Sequence, residues 1–440
     1  MQEFNETECK KVFLTGVDTG EDRNFEQSMK ELESLAEACF MKPVGCIIQT
    51  MPAVNKALCL GSGKVLEVKE AAKQAEAEMV IFDNTLSPIQ MRNLQKELEL
   101  SVMDRTGLIL DIFSNRAKTK EAKLQVETAT LKYMLPRLVG MHEALSRQGG
   151  ASGSMSNKGA GEKKLELDRR RIEHRLAFLQ KELKEVSKER QTQRKKRENS
   201  SLKKVALVGY TNAGKSTIMN SMVSLFVGDE NKKVLEKDML FATLETSVRL
   251  IEGRDHKDFF LSDTVGFIHK LPHDLVEAFQ STLEEVASAD LLLHVVDFSD
   301  PSYKQHMEVT KDTLIKLGAG DIPTICVYNK VDLYPGNVPR EKEDSIYLSA
   351  HRQEDILHLV EKIKQLLYGD FLTTEFLFPY DKGGLAAALM EHSEIIEQKY
   401  VENGMHLVVN CHKKDVSKYQ EYCFKERKIS QKEKGEETCG

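Results

Sequence analysis

The sequence contains no apolar run that approaches the roughly 18–20 residues needed to cross a membrane. Its first residues also lack the basic and apolar regions of a signal peptide. The eight cysteines are scattered singly and never form a CxxC pair, which argues against disulfides and zinc and indicates reduced thiols. We therefore expect a cytoplasmic protein without a membrane span.

The chain also lacks an overall basic charge, because its net charge is −6 at pH 7. One region is an exception, since residues 163–204 contain 16 Lys and Arg against 7 Asp and Glu. Solvent-facing helices and linkers are commonly this rich in charge, so the excess alone does not indicate a ligand. The basic residues beside a glycine-rich stretch have fewer acids nearby and favour contact with RNA phosphates; they are Lys163, Lys164, Arg169, Arg170 and Arg171.

The segment 209–216, GYTNAGKS, matches the phosphate-binding pattern GxxxxGK[ST]. An apolar strand at 205–208 precedes it and a helix is predicted to follow, which is the context that this loop requires. Its backbone N–H groups would wrap a β-phosphate, Lys215 would reach the β- and γ-phosphates, and the Ser216 hydroxyl would bind Mg²⁺. Alone, such a loop fits many ATPases and kinases.

Three motifs downstream narrow the choice: DTVG at 263–266, NKVD at 329–332 and Ser-Ala at 349–350. The first brings Asp263 to the Mg²⁺ shell and the Gly266 N–H to the γ-phosphate. The Asp332 carboxylate can accept from both N1–H and the 2-amino group of guanine, whereas adenine offers neither donor. The four motifs in this order predict a GTPase that hydrolyses GTP to GDP and phosphate.

The predicted site is a set of loop residues. The nucleotide-binding residues are Gly209, Tyr210, Thr211, Asn212, Ala213, Gly214, Lys215, Ser216, Thr217, Thr243, Asp263, Thr264, Val265, Gly266, Asn329, Lys330, Asp332, Ser349 and Ala350. Catalysis is assigned to Lys215, Thr243, Asp263 and Gly266, and Mg²⁺ binding to Ser216 and Thr243.

Three positions in or near these motifs leave alternatives open. Thr243 lies where a switch threonine must bind Mg²⁺ and the γ-phosphate, although a Thr in such a segment is often only polar surface. Phe267 follows the DxxG motif, at the position where Ras-like enzymes carry a Gln that orients the attacking water. Its ring either packs beneath this segment (switch II) or does not. In both cases we expect intrinsic hydrolysis to be slow, because a phenyl ring cannot hydrogen-bond to water. Asn212 either binds K⁺ beside the phosphates or caps the loop.

The periodicity predicts an α/β protein of several domains. We predict an N-terminal α/β domain at 1–115, then an antiparallel helical hairpin at 116–190 with a Gly-rich tip at 148–164, and a basic linker at 191–200. A Ras-like G domain, with a parallel-type sheet flanked by helices, is predicted at 201–370. A small C-terminal α/β domain at 371–424 and a disordered tail at 425–440 complete the prediction. The hairpin is predicted because leucines recur every seven residues from Leu124 to Leu145. Pro136 is expected to kink the first helix. In the C-terminal domain we predict a helix over 384–400.

The chain resembles the HflX family of bacterial GTPases. The similarity is carried by DRTGLILDIF at 104–113, LPRL at 135–138 and DRRRI at 168–172, together with FATL at 241–244 and DTVGFI at 263–268. It covers about residues 10–410. One departure stands at 159–166, where the family's usual GPGETQLE is replaced by GAGEKKLE.

The resemblance implies a translation-factor class protein that binds the large (50S) ribosomal subunit and the 70S ribosome through rRNA. It implies GTP and GDP as ligands, Mg²⁺ as cofactor, and a monomer that separates or rescues stalled ribosomes. The atypical hairpin tip also leaves open a specialised relative that counters ribosome-targeting antibiotics. Two alternatives stay open: a ribosome-assembly or RNA-remodelling GTPase, and a signalling switch that uses the hairpin to dock protein effectors.

Overall fold

A computed structural model describes residues 9–20, 24–148, 155–198, 202–226, 240–241, 246–253, 257–270, 285–336, 338–369 and 371–426. At 139–148, 155–165, 189–198 and 424–426 it describes the backbone only. No helix of the described residues is long and apolar enough to span a membrane. The cysteines within these ranges are all free thiols.

The N-terminal domain is a parallel sheet with helices between its strands, as the alternating pattern predicts. Its elements are β1 Lys10–Asp18, α1 Phe25–Ala38, β2 Met41–Thr50, α2 Ser62–Gln74, β3 Met79–Phe82, α3 Pro88–Leu98, β4 Ser101–Asp104 and α4 Arg105–Arg116. The strand order is β2-β1-β3-β4. Ser87 caps α3 in a capping box with Gln90, ahead of Pro88 at the first helical position. The carboxyl ends of β1 and β3 lie at one edge of this sheet.

Two long helices, α5 Lys120–Gln148 and α6 Met155–Glu198, follow. They are antiparallel: Glu127 pairs with Arg175 at 2.6 Å, and Lys120, one heptad earlier on α5, pairs with Glu182, one heptad later on α6. Leu179 of α6 is fully buried between them. Helix α6 extends beyond the predicted hairpin arm, because it includes most of the residues predicted for the Gly-rich tip and the basic linker.

The predicted G domain is built on a seven-stranded sheet in the order β10-β11-β9-β8-β5-β7-β6. Its elements are β5 Lys203–Gly209, α7 Lys215–Phe226, β6 Ser247–Ile251, β7 Phe259–Asp263, β8 Leu291–Asp297, α8 Tyr303–Lys316, β9 Thr324–Asn329, β10 Glu341–Lys342, β11 Ser345–Tyr347 and α9 Gln353–Leu367. Strands β6 and β10 pair antiparallel at the two edges, and the strands between them are parallel. Apolar residues of α7 and α9 cover one face, and α8 contributes to the other. The phosphate-binding loop (P-loop) follows β5, an interior strand between β8 and β7.

The C-terminal domain is an antiparallel sheet in the order β13-β14-β12-β15. Its elements are β12 Phe371–Phe378, α10 Gly383–Glu391, β13 Glu394–Val401, β14 Gly404–His412, α11 Lys413–Lys418 and β15 Cys423–Glu426. The predicted helix over 384–400 is therefore wrong in its second half, because residues from Glu394 onward pair with β14. Cross-strand pairing of Ile395 and Tyr400 outweighs their local helical pattern. Of the predicted tail, residues 427–440 lie outside the description.

Candidate nucleotide-binding site

The phosphate-binding loop leaves β5 at Gly209 and enters α7 at Lys215. Gly214 has a φ of +93°, and a Cβ built there would lie 2.1 Å from Nδ2 of Asn329. Only glycine can therefore occupy this motif position. Asn212 also has a left-handed backbone, with φ of 59°, a conformation that asparagine tolerates better than most residues. The loop's shape is thus fixed by the residue types that the motif specifies.

Lys215 is buried, and its ammonium donates to the carbonyls of Gly209 at 3.0 Å and Tyr210 at 2.7 Å. It therefore ties the first turn of the loop to the start of the helix. Burial lowers the pKa of Lys215 to about 8, while the carboxylate of Asp263 opposes the shift. A phosphate bound beside this ammonium would favour its charged form for the same electrostatic reason.

The side chains of Ser216 and Asp263 meet at the predicted magnesium position. The Ser216 hydroxyl donates to Oδ2 of Asp263 at 2.6 Å, and Asp263 is fully buried at the end of β7. A hydroxyl and a carboxylate oxygen this close are the hard ligands that Mg²⁺ prefers. These residues fit a magnesium ion bound partly by protein and partly by phosphate and water.

The segment after Asp263 lies directly on the P-loop. A Cβ at Gly266 would lie 2.8 Å from Cα of Thr211 and 3.0 Å from Nζ of Lys215, so this glycine permits the close approach. The Phe267 N–H donates to the Gly209 carbonyl at 3.1 Å, and the Thr211 N–H donates to the Phe267 carbonyl at 2.8 Å. The Phe267 ring is buried in the apolar core below, which confirms that it packs beneath the switch. Thr264 is fixed by its hydroxyl, which donates to the Leu207 carbonyl at 2.7 Å.

The two motifs that are predicted to bind guanine are joined to the P-loop by one buried amide. Asn329, at the end of β9, donates from Nδ2 to the Ala213 carbonyl at 3.0 Å and accepts from the Ala350 N–H at 2.9 Å. Lys330 pairs with Asp297 at 2.7 Å. The exposed Asp332 accepts a hydrogen bond from the Ser349 side chain, which lowers the pKa of its carboxyl and keeps it a double acceptor.

Some predicted residues fall outside these contacts. Thr243 and the side chains of Lys163 and Lys164 lie outside the described residues. The prediction that Arg169, Arg170 and Arg171 have few acids nearby is wrong. Because α6 is helical there, each arginine reaches an acid three or four residues away, namely Glu173, Glu166 and Asp168.

A buried group of side chains that no sequence motif marks joins the N-terminal domain to this site. We call it the interdomain cluster; its members are Ser28, Glu31, Asp83, Arg105, Tyr210 and Lys270. In the sequence, Arg105 is marked only by its place in the DRTG stretch that resembles the HflX family. A buried arginine and two buried acids from different helices and strands leave no local pattern, so no sequence signal gave their partners.

The geometry of the four motifs defines the class of this protein. A buried P-loop lysine, a Ser hydroxyl bonded to an Asp carboxylate, a glycine packed against the P-loop and an exposed carboxylate in the NKxD motif are features of P-loop GTPases.

Comparisons with known proteins identify the family. Residues 26–114 match the model described as GTP-binding GTPase N-terminal, 116–197 the GTP-binding GTPase Middle Region, and 204–330 the model described as 50S ribosome-binding GTPase. GTPase HflX of Alkalihalophilus pseudofirmus is 43% identical over 414 residues, covering 94% of this chain and 96% of the relative. GTPase HflX of Escherichia coli is 38% identical over 388 residues, covering 87% and 88%. The chain belongs to the HflX GTPase family, and it is a GTPase that binds GTP and GDP.

Among solved structures, a GTP-binding protein of Sulfolobus solfataricus in complex with GDP is 22% identical. The match covers 80% of this chain and 99% of that chain, with a TM-score of 0.44.

Proposed function

We propose that this GTPase binds the large ribosomal subunit, separates or rescues stalled ribosomes in the cytoplasm, and leaves after hydrolysis. The observation that carries the proposal is the long α5–α6 hairpin in a chain whose described residues bring the four guanine-nucleotide motifs together. Its first helix has 29 residues and spans about 44 Å at 1.5 Å per residue, enough to reach deep into an RNA particle. The match to a family model described as 50S ribosome-binding GTPase supports the same partner.

The chemistry follows from the loops. Lys215 and the P-loop N–H groups would hold the β- and γ-phosphates, and Ser216, Asp263 and Thr243 would position a magnesium ion that neutralises the developing charge. Gly266 would present its N–H to the γ-phosphate. Because Phe267 is buried and has no polar group, no side chain at this position can orient the attacking water. Hydrolysis by the free protein should therefore be slow, and we propose that subunit binding orders the switches, with K⁺ held by Asn212 as the second cation.

The ribosome contact is assigned to Arg169, Arg170 and Arg171 on α6, together with Lys163 and Lys164. The three arginines are exposed, and their pairs with neighbouring acids are surface ion pairs, which contribute little to stability. Exchanging such a carboxylate for an rRNA phosphate costs little. Three neutralised phosphates would steepen the dependence of log affinity on log salt by about 2–3.

The test is subunit binding by a variant in which Arg169, Arg170 and Arg171 are all replaced by Gln. We expect weaker binding to large subunits and a flatter salt dependence, with unchanged basal GTP hydrolysis. The matched control replaces Lys181, Lys184 and Lys188 of the same helix by Gln, which removes equal charge farther from the tip. If the arginine variant binds like wild type at two salt concentrations, or if the control loses as much affinity, this contact assignment fails.

A second experiment concerns the atypical tip. Deleting residues 149–161 removes little charge, so subunit binding should largely persist while separation of 70S particles is lost. Sedimentation profiles of ribosomes with the protein and a non-hydrolysable GTP analogue measure this. If the deletion separates particles normally, the tip has no part in the reaction, and a special action against antibiotic-stalled ribosomes loses its basis.

A further inference from the structure

The buried phenylalanine after the DxxG motif leaves the attacking water to another group. The Phe267 ring is 2% exposed and packs in an apolar cluster with Val208 and Leu292, so it presents no polar atom to the nucleotide. Hydrolysis nevertheless needs a water held in line with the γ-phosphate. The Gly266 N–H is expected to bind that phosphate, so a polar side chain in contact with Gly266 is well placed to hold the water.

Thr211, the third residue of the P-loop motif, lies directly against this segment. Its N–H donates to the Phe267 carbonyl at 2.8 Å. A Cβ at Gly266 would lie 2.8 Å from both Cα and Cγ2 of Thr211, so the two residues are in contact. The Thr211 side chain therefore lies beside the glycine that is predicted to bind the γ-phosphate.

The Thr211 hydroxyl is buried and makes no hydrogen bond to any residue that the structure describes. Thr264, in the same switch segment, shows the usual arrangement, because its buried hydroxyl donates to the Leu207 carbonyl at 2.7 Å. Buried polar groups are almost always paired, and an unpaired one lowers stability. An unpaired hydroxyl beside Gly266 therefore indicates a group that serves a partner outside the protein chain.

A cavity next to the P-loop provides room for such a partner. Its volume is about 190 Å³, and its lining includes Thr211, Asn212 and Leu240. An ordered water occupies only a small part of such a volume, and it needs polar neighbours of the kind that this loop supplies. Rotation about the Cα–Cβ bond of Thr211 moves its hydroxyl between staggered positions, so the hydroxyl can meet a water without any backbone movement.

We propose that the Thr211 hydroxyl is a catalytic group for GTP hydrolysis, which hydrogen-bonds to the attacking water and directs it at the γ-phosphorus. In this step the water oxygen bonds to the γ-phosphorus. The bond from that phosphorus to the β,γ-bridging oxygen breaks, and its electron pair stays with GDP. One proton of the water remains on the phosphate product, and the other passes to phosphate or solvent. The hydroxyl both donates and accepts a hydrogen bond and keeps its own proton, so it orients the water without acting as a base.

The test compares three replacements of Thr211 in the full chain, with GTP hydrolysis measured without ribosomes at saturating Mg²⁺. Thr211→Val keeps the shape of the side chain and removes the hydroxyl. We expect kcat to fall at least about tenfold, because misplacement of a reacting group by about 1 Å can cost about a hundredfold in rate. Affinity for a non-hydrolysable GTP analogue should change less than about twofold, because the contact is made to the water and not to the bound nucleotide.

The other two replacements separate the hydroxyl from the methyl group. Thr211→Ser keeps the hydroxyl and should stay close to wild type in kcat. Thr211→Ala removes the hydroxyl in a smaller side chain and should lose as much kcat as Thr211→Val. It also carries the test if the valine variant folds poorly.

Thr374→Val is the matched control. Thr374 lies on β12 in the C-terminal domain, is fully buried, and its hydroxyl also lacks a partner among the described residues. Since neither hydroxyl is paired with the protein, neither valine variant should lower the free energy of unfolding. Thr374→Val should leave kcat unchanged, so a loss in Thr211→Val cannot be attributed to unfolding.

Three results would overturn the proposal. A loss of kcat of less than about tenfold in both Thr211→Val and Thr211→Ala would show that the hydroxyl is dispensable. An equal loss in Thr211→Ser would assign the effect to the methyl group packed against Gly266. A parallel loss of affinity for the GTP analogue would assign it to the shape of the loop. These measurements need only the GTPase reaction, so they stand whether or not the ribosome proposal holds.

Discussion

Replacing Asn329 by alanine tests whether one buried amide holds the phosphate and guanine halves of the site together. Asn329 is 2% exposed, and its side chain is hydrogen-bonded to the Ala213 carbonyl and the Ala350 N–H. Alanine removes both hydrogen bonds, so the Ala350 N–H and the Ala213 carbonyl face the space that the amide side chain leaves. Nothing else in the two loops changes, so the consequence can be attributed to the bridge.

The magnitude follows from the number of groups that lose a partner. A buried donor or acceptor without a partner costs about 1–3 kcal/mol, and water entering the vacated space recovers part of it. We therefore expect the GTPase domain to lose about 2–4 kcal/mol of unfolding free energy. Affinity for GDP should fall at least about tenfold, or about 1.4 kcal/mol, because the nucleotide must then order both loops itself.

The assays are denaturant unfolding of the nucleotide-free protein and titration with GDP. Asn329→Asp keeps the acceptor for Ala350 but places an oxygen against the Ala213 carbonyl, so it should be at least as damaging. Asn410→Ala is the control, because Asn410 donates to Glu394 at 3.0 Å in the C-terminal domain, far from the nucleotide. If Asn329→Ala loses less than about 1 kcal/mol and binds GDP within threefold of wild type, the reasoning is refuted.

Three further predictions concern the same domain. Asp332→Asn should shift preference from GTP toward XTP, because an amide pairs with the 2-oxo edge of xanthine; continued preference for GTP in competition assays would contradict the base placement. Ser216→Ala should cut GTP turnover by orders of magnitude at saturating Mg²⁺ without unfolding the protein, and near-normal turnover would refute its role. Burial, with Lys215 nearby, lowers the pKa of His294 to about 4. The unfolded chain then binds more protons below about pH 6.5, so stability should fall by about 2 kcal/mol from pH 7 to 5, and His294→Gln should flatten that fall.

The nucleotide motifs could be predicted from sequence because their geometry is local. The left-handed backbone at Gly214, the helix that begins at Lys215 and the strand that ends at Asp263 each depend on a few adjacent residues. Parallel strands then bring their carboxyl ends to one edge, so the order of the motifs is enough to place them together.

What the sequence could not predict depends on distant partners. Lys270 and Asp83 are 187 residues apart, and neither belongs to a pattern that marks an ion pair. The prediction of a helix is wrong where β13 lies, because only the pairing with β14 distinguishes a strand from a helix there. The three arginines of α6 were judged by charge counts, whereas the helix places each of them beside an acid on its own surface.

Tyr210 belongs to a local motif and also has distant partners. The P-loop pattern itself allows any residue at this position. Its carbonyl accepts from Lys215, while its hydroxyl accepts from the His269 N–H and donates to Glu31. Burial and the Glu31 carboxylate raise the pKa of Tyr210, so the hydroxyl stays protonated and keeps that donor. Its ring is stacked on His306 with the centroids 3.9 Å apart. Tyr210 therefore joins Glu31 of α1 to the phosphate-binding loop, which makes this unspecified motif position a constrained one in this chain.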